Sequence, residues 1–129
     1  RQMLTDYNVQ AVGYDSWGST QLATRLERDG APMVEIPQTV KNLSESMKEI
    51  EARVIAGKIY KQKNPMMDWM ASNVITKLDK NENYFPDKEH QDNKIDGMVA
   101  LFMGVNRILA SGEQFDPLSD LGDIGSLII

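Results

Sequence analysis

The strongest constraint in the sequence lies in its first forty residues, where two β-friendly runs are separated by a helical stretch and a glycine. Asn8 to Tyr14 (NVQAVGY) is largely apolar and ends at Asp15, the pattern of a strand buried in a mostly parallel sheet. Ser16 to Asp29 reads as a helix, with Trp17, Leu22, Ala23 and Leu26 at roughly helical spacing facing inward and Gly30 supplying the stop. Met33 to Ile36 is the second run. Strand, helix, glycine, strand is the order of a right-handed crossover joining parallel strands. The expected class is therefore α/β.

Further along, Ser44 with Glu49 close behind is expected to open a helix running to about Ala56, with Met47, Ile50, Val54 and Ile55 inward and Gly57 ending it. Lys58 to Gln62 suits a short strand. Asn64-Pro65 starts another helix, because a first-turn proline loses no needed hydrogen bond; its methionines and Trp69 suit packing better than a cofactor site. Val74 to Leu78 and Asn83 to Pro86 flank DKNEN as a hairpin with a polar tip. Asp92 to about Ala110 is the core helix, with Ile95, Met98, Val99, Leu101, Phe102, Val105, Ile108 and Leu109 on a broad apolar face. Residues 1–112 thus read as one domain. Residues 113–129 have turn formers and no sustained period, and read as a tail.

Composition narrows the chemistry. With 41% hydrophobic and 26% charged residues the chain has ordinary globular usage, which excludes a disordered or low-complexity segment. There is no apolar run near the roughly 20 residues of a membrane span and no signal-peptide pattern, so a soluble chain is expected. No cysteine and a single histidine leave carboxylates as the multi-ligand donors, which suits hard cations such as Mg²⁺ or Mn²⁺. A net charge of −5 argues against a free-standing nucleic-acid binder, although metals can cancel carboxylates locally. Phosphate-loop, nucleophile-elbow, HExxH and CxxC patterns are absent, which excludes ATP hydrolysis by this segment.

Two carboxylates occupy privileged positions. Asp15 follows the first strand, where ligands of open α/β sheets bind, a place that equally suits a helix cap. Asp96 lies in the first turns of the long helix beside its apolar arc, with Asp92 on the same side; both equally suit the acidic preference of a helix N-terminus. If Asp15 and Asp96 converge, their repulsion calls for a cation between them. Lys88 and Lys94 flank the region and can hold a phosphate as point charges, or stand as solvated lysines; His90 reads as exposed.

The ordered segments VGYDSWGSTQLATRLERDG, VEIPQ, LSESMKEIEARVIAGKIYKQKNP, DWMASNV, DKNENYFPDK and NKIDGMVALFMGVNRIL resemble the nuclease domain of tailed-phage and prophage terminase large subunits over residues 5–110. YDSW, NP..DWM.SNV and KIDG carry the most specificity. The resemblance implies a ribonuclease-H-like fold with a hairpin insertion and a long C-terminal core helix. It implies an endonuclease, using two Mg²⁺ or Mn²⁺ ions, that cuts concatemeric double-stranded viral DNA during packaging. Asp15 and Asp96 match the family's acidic positions and become expected catalytic metal ligands, with Asp92 a further candidate; Lys88 and Lys94 match its lysines. Small terminase subunit and portal are the implied partners.

The family's first catalytic aspartate and opening strands are expected upstream of Arg1. That leads us to expect an incomplete fold, a weak or inactive segment, and an exposed strand edge that pairs two copies of the chain. The alternatives are a non-catalytic docking module for the packaging motor and a different ribonuclease-H-like nuclease.

Overall fold

The crossover expected in the first forty residues is present, although its strands are shorter than the apolar runs that encode them. The computed structural model describes residues 2–112. After α1 (Gln2–Asp6), β1 (Val12–Tyr14) leads through α2 (Thr20–Arg28) to β2 (Met33–Glu35). β1 and β2 pair in parallel, with Gly13 opposite Val34. Pairing begins only at Val12, whose N–H reaches the Pro32 carbonyl at 2.8 Å, because β2 offers no partner to residues 8–11. Among the described residues no strand lies on the other edge of β1.

The helix expected from Ser16 starts four residues later. Gly18 takes a left-handed φ of +75°, which a helix interior cannot accommodate, and the Ser19 hydroxyl turns back to the Asp15 carbonyl at 2.5 Å. Trp17 therefore sits in the turn and is 91% exposed instead of inward, and Leu22 is exposed as well. Ala23 is buried and Leu26 half-buried, as expected.

The third helix, α3 (Val40–Ile55), begins four residues before the serine expected to open it. Thr39 is the cap, its hydroxyl accepting from the Asn42 N–H at 3.4 Å. Ser44 is instead buried in the second turn, where its Oγ accepts the Tyr84 N–H at 2.9 Å from across the fold. Val54 and Ile55 are exposed, because the final turn of α3 runs past the core. Residues 58–62 form no strand.

α4 (Pro65–Asn73) starts as its Asn-Pro pair dictates, with the Asn64 side chain accepting from the Met67 N–H. The hairpin is also as expected: β3 (Ile75–Leu78) runs antiparallel to β4 (Tyr84–Asp87). Asp79 organises its tip by accepting from the backbone of Asn81 and from backbone and side chain of Asn83. Those bonds, the Asn83 side chain first, hold the Asp79 carboxyl below the usual aspartate range.

The last helix, α5 (Asp96–Ser111), opens at Asp96 and not at Asp92. Residues 88–93 are folded back on themselves, with Lys88 Nζ donating to the Gln91 carbonyl and Asn93 N–H to that of His90. Val99, Phe102 and Met103 of α5 join Leu43, Met47 and Ile50 of α3 and Ile36 in one core, flanked by Val34, Val74, Tyr84 and Phe85. Leu101 and Leu109, expected inward, lie partly outside it. α5 packs on α3, β1 and α4, and β4 packs on α3. No described helix is long and apolar enough to cross a membrane.

The Ser44–Tyr84 bond is the polar tie between α3 and the hairpin. Removing the hydroxyl leaves a partly buried N–H unpaired, which costs about 1–3 kcal/mol. Ser44→Ala is expected to lower stability by about that amount in urea unfolding; an unchanged midpoint at unchanged slope would mean that water replaces the hydroxyl without loss.

Candidate active site

Asp15 occupies the first position after β1, half-buried, where the chain leaves the sheet. Its Oδ1 accepts the Trp17 N–H at 3.3 Å in an Asx turn; it does not cap α2, which starts at Thr20 with Ser19 at the cap position. Asp96 is the first residue of α5 and is exposed. β1 and α5 pack on one another, and a Cβ at Gly13 would stand 2.7 Å from Ile36 Cδ1 and 3.8 Å from Met103 Cβ of α5. The two aspartates thus stand on contacting elements.

Their electrostatic setting differs from that of Asp68 and Asp87. Asp68 pairs with Lys61, and Asp87 pairs with Lys77, whose ammonium holds the Asp87 carboxyl below the usual range. Among the described residues neither Asp15 nor Asp96 has a lysine or arginine partner. Such carboxylates are hard oxygen donors available to a divalent cation.

Other candidates are arranged differently. Asp92 is exposed in the turn ahead of α5, and no group of three Asp, Glu, His or Cys side chains among the described residues is set to hold a metal, so Asp15, Asp92 and Asp96 do not form a triad. The helix beginning at Asp96 removes the shared helical side on which Asp92 was expected. Lys88 is half-buried with its ammonium on the Gln91 carbonyl, and so shapes the loop; Lys94 is exposed. His90 is exposed, as expected.

Between β4 and α3, Tyr84 donates its hydroxyl to Glu51, and that carboxylate pushes the phenol above its ordinary value. Lys48 lies 5.4 Å from the ring centroid.

The family model for the terminase large subunit, endonuclease domain, matches residues 2–112. This chain belongs to that family. Protein YmfN of Escherichia coli (strain K12) is 40% identical over 108 residues, covering 82% of this chain and 24% of the relative. The terminase large subunit of Enterobacteria phage HK97 is 26% identical over 124 residues, covering 95% of this chain and 24% of the relative. The crystal structure of the HK97 bacteriophage large terminase is similar with a TM-score of 0.71 at 25% identity, over 82% of this chain and 22% of that one. The chain therefore spans about a quarter of the length of these relatives. The fold of this terminase nuclease-family domain is α/β and ribonuclease-H-like, as the sequence motifs implied.

The supports of Asp96 were not foreseen. Asn73 and Met70 of α4 reach the residues on either side of it. The available signals were the motifs NP..DWM.SNV and KIDG, which contain these residues, and the Met67, Met70 pair spaced for one helical face; that the pair packs against Gly97 is not visible in the sequence.

Proposed function

We propose that this domain is the metal-dependent endonuclease part of a DNA-packaging terminase, cutting concatemeric double-stranded viral DNA. The observation that carries the reading is the pair Asp15 and Asp96, two carboxylates without cationic partners among the described residues, one directly after β1 and one at the head of α5, elements that pack on each other. The donor set fits Mg²⁺ or Mn²⁺, since magnesium is commonly held by one or two carboxylates with water and substrate phosphate completing its shell. Bound there, the ion would supply an activated water and charge neutralisation at the leaving oxygen of the phosphodiester. Asp15 and Asp96 hold it in this reading. Lys94, exposed two residues before Asp96, offers a point charge to a phosphate, while Lys88 keeps the loop closed through Gln91. The small terminase subunit and the portal are the partners of the complete machine in this proposal, and the bacterial cytoplasm its place of action.

The second reading, a docking module whose carboxylates bind no metal, draws on the net charge of −5 and the lack of a three-carboxylate group among the described residues. Manganese separates the two. At a concentration about 100 times Kd a ligand stabilises the folded state by about 2.7 kcal/mol. The expected result is a manganese-dependent rise in Tm, lost in both Asp15→Asn and Asp96→Asn. Plasmid cleavage by the longest natural polypeptide carrying this sequence is expected in manganese and not in EDTA. No rise in Tm together with no cleavage would put the docking module first.

A further inference from the structure

Asp96 is the first residue of a helix that has no side-chain cap of its own, because the residue at the capping position is Ile95. The first N–H groups of a helix have no partner within it, so an uncapped first turn frays and swings whatever side chain it carries. Here the missing support comes from α4. Asn73 Nδ2 donates to the Lys94 carbonyl at 3.0 Å, two residues before Asp96. The Gly97 N–H, one residue after it, donates to Met70 Sδ at 3.3 Å.

The absence of a side chain at residue 97 makes this approach possible. A Cβ there would stand 2.8 Å from Met70 Sδ and 3.0 Å from Met67 Sδ, so the backbone of the first turn is seated between two thioethers. The bracket joins segments 21 and 27 residues apart, so it is tertiary and not a local turn.

We propose that Asn73, with Met70, is a positioning residue for Asp96: the end of α4 sets the direction of that carboxylate toward the divalent cation. The inference rests on the metal-binding reading given above. A ligand must be held within about 0.5 Å of its working position, a tolerance that a fraying first turn exceeds. Removing a residue that orients a metal ligand typically costs about 10–100-fold in metal affinity.

The test is a manganese titration of the 129-residue chain, together with hydrogen exchange at the Gly97 amide. Asn73→Ala is expected to bind manganese about tenfold more weakly and to exchange at Gly97 about fivefold faster, the equivalent of a neutral hydrogen bond. Met70→Leu keeps the apolar volume but removes the acceptor, and should shift both readouts in the same direction. Asn42→Ala is the control, since Asn42 Nδ2 makes a matching bond to the Pro37 carbonyl at 2.8 Å near the start of α3. A merely structural role predicts lower Tm in Asn73→Ala and Asn42→Ala alike, with manganese affinity unchanged in both. Unchanged affinity in Asn73→Ala and Met70→Leu, with binding lost in Asp96→Asn, would overturn the role of α4 and leave the metal site standing. Equal affinity in wild type and Asp96→Asn would remove the metal site and this proposal with it.

Discussion

Asp96→Asn is expected to reduce manganese-supported plasmid cleavage about a thousandfold in the longest natural polypeptide that carries this domain. A metal ion stabilises the charge of a phosphodiester transition state by several kcal/mol, and each 1.36 kcal/mol is tenfold in rate. Asparagine keeps the shape of aspartate and leaves the rest of α5 in place. It forfeits the favourable charge at the helix N-terminus, worth about 0.3–1 kcal/mol, so stability changes far less than activity. Asp92→Asn is the internal comparison: this residue lies exposed in the turn outside α5, and its replacement is expected to alter cleavage by less than about threefold. Equal losses in the two variants would point to a general effect of acidic charge on DNA binding. Wild-type rates in Asp96→Asn would remove Asp96 from the reaction.

Leu43→Ala is expected to destabilise the fold by about 3–4 kcal/mol, lowering Tm by roughly 10–20 °C in calorimetry. Leu43 is fully buried at the junction of α3 with α5 and the β2 end, in the cluster that holds Ile36, Met47, Phe102 and Met103. Truncation removes its apolar contacts and leaves a cavity that close-packed neighbours on three elements refill only in part. Ile55→Ala, on the same helix at 81% exposure, should stay within about 0.5 kcal/mol of wild type. The contrast is sharp because periodicity alone placed Ile55 inward and put Leu43 outside the helix. A small effect at Leu43 would mean that the α3–α5 contact is not the organising core.

These two residues show where sequence reasoning reached its limit. Apolar periodicity located α3 and α5, but not which end of each meets a partner. Ser44 had the chemistry of a local cap, and its hydroxyl instead pairs with Tyr84, 40 residues away. Trp17 had the spacing of a buried residue, and one left-handed glycine beside it keeps it in solvent. The turns were read more reliably. Asn64-Pro65, the polar hairpin tip and Gly57 act through their own backbone, and each stands where its chemistry put it.

The candidate site divides in the same way. Asp15 was legible because it ends an apolar strand run, and Asp96 because it sits in KIDG at the head of the longest apolar helix; the family motifs joined them. Asn73, Met70 and Gly97 fall inside the motifs NP..DWM.SNV and KIDG, but what each does was not legible there, because a donor amide, a thioether and a glycine acquire a role only from what lies opposite.

By itself the sequence determined the order of the helices, the parallel crossover, the hairpin and the family, and it nominated the two aspartates, since each depends on local backbone preference or on spacing along the chain. Tertiary structure decided where α2, α3 and α5 begin, which apolar residues form the core, and what supports Asp96. The starts of α2 and α3 turn on which of several acceptable local hydrogen bonds forms, whereas the core and the support of Asp96 depend on partners tens of residues away.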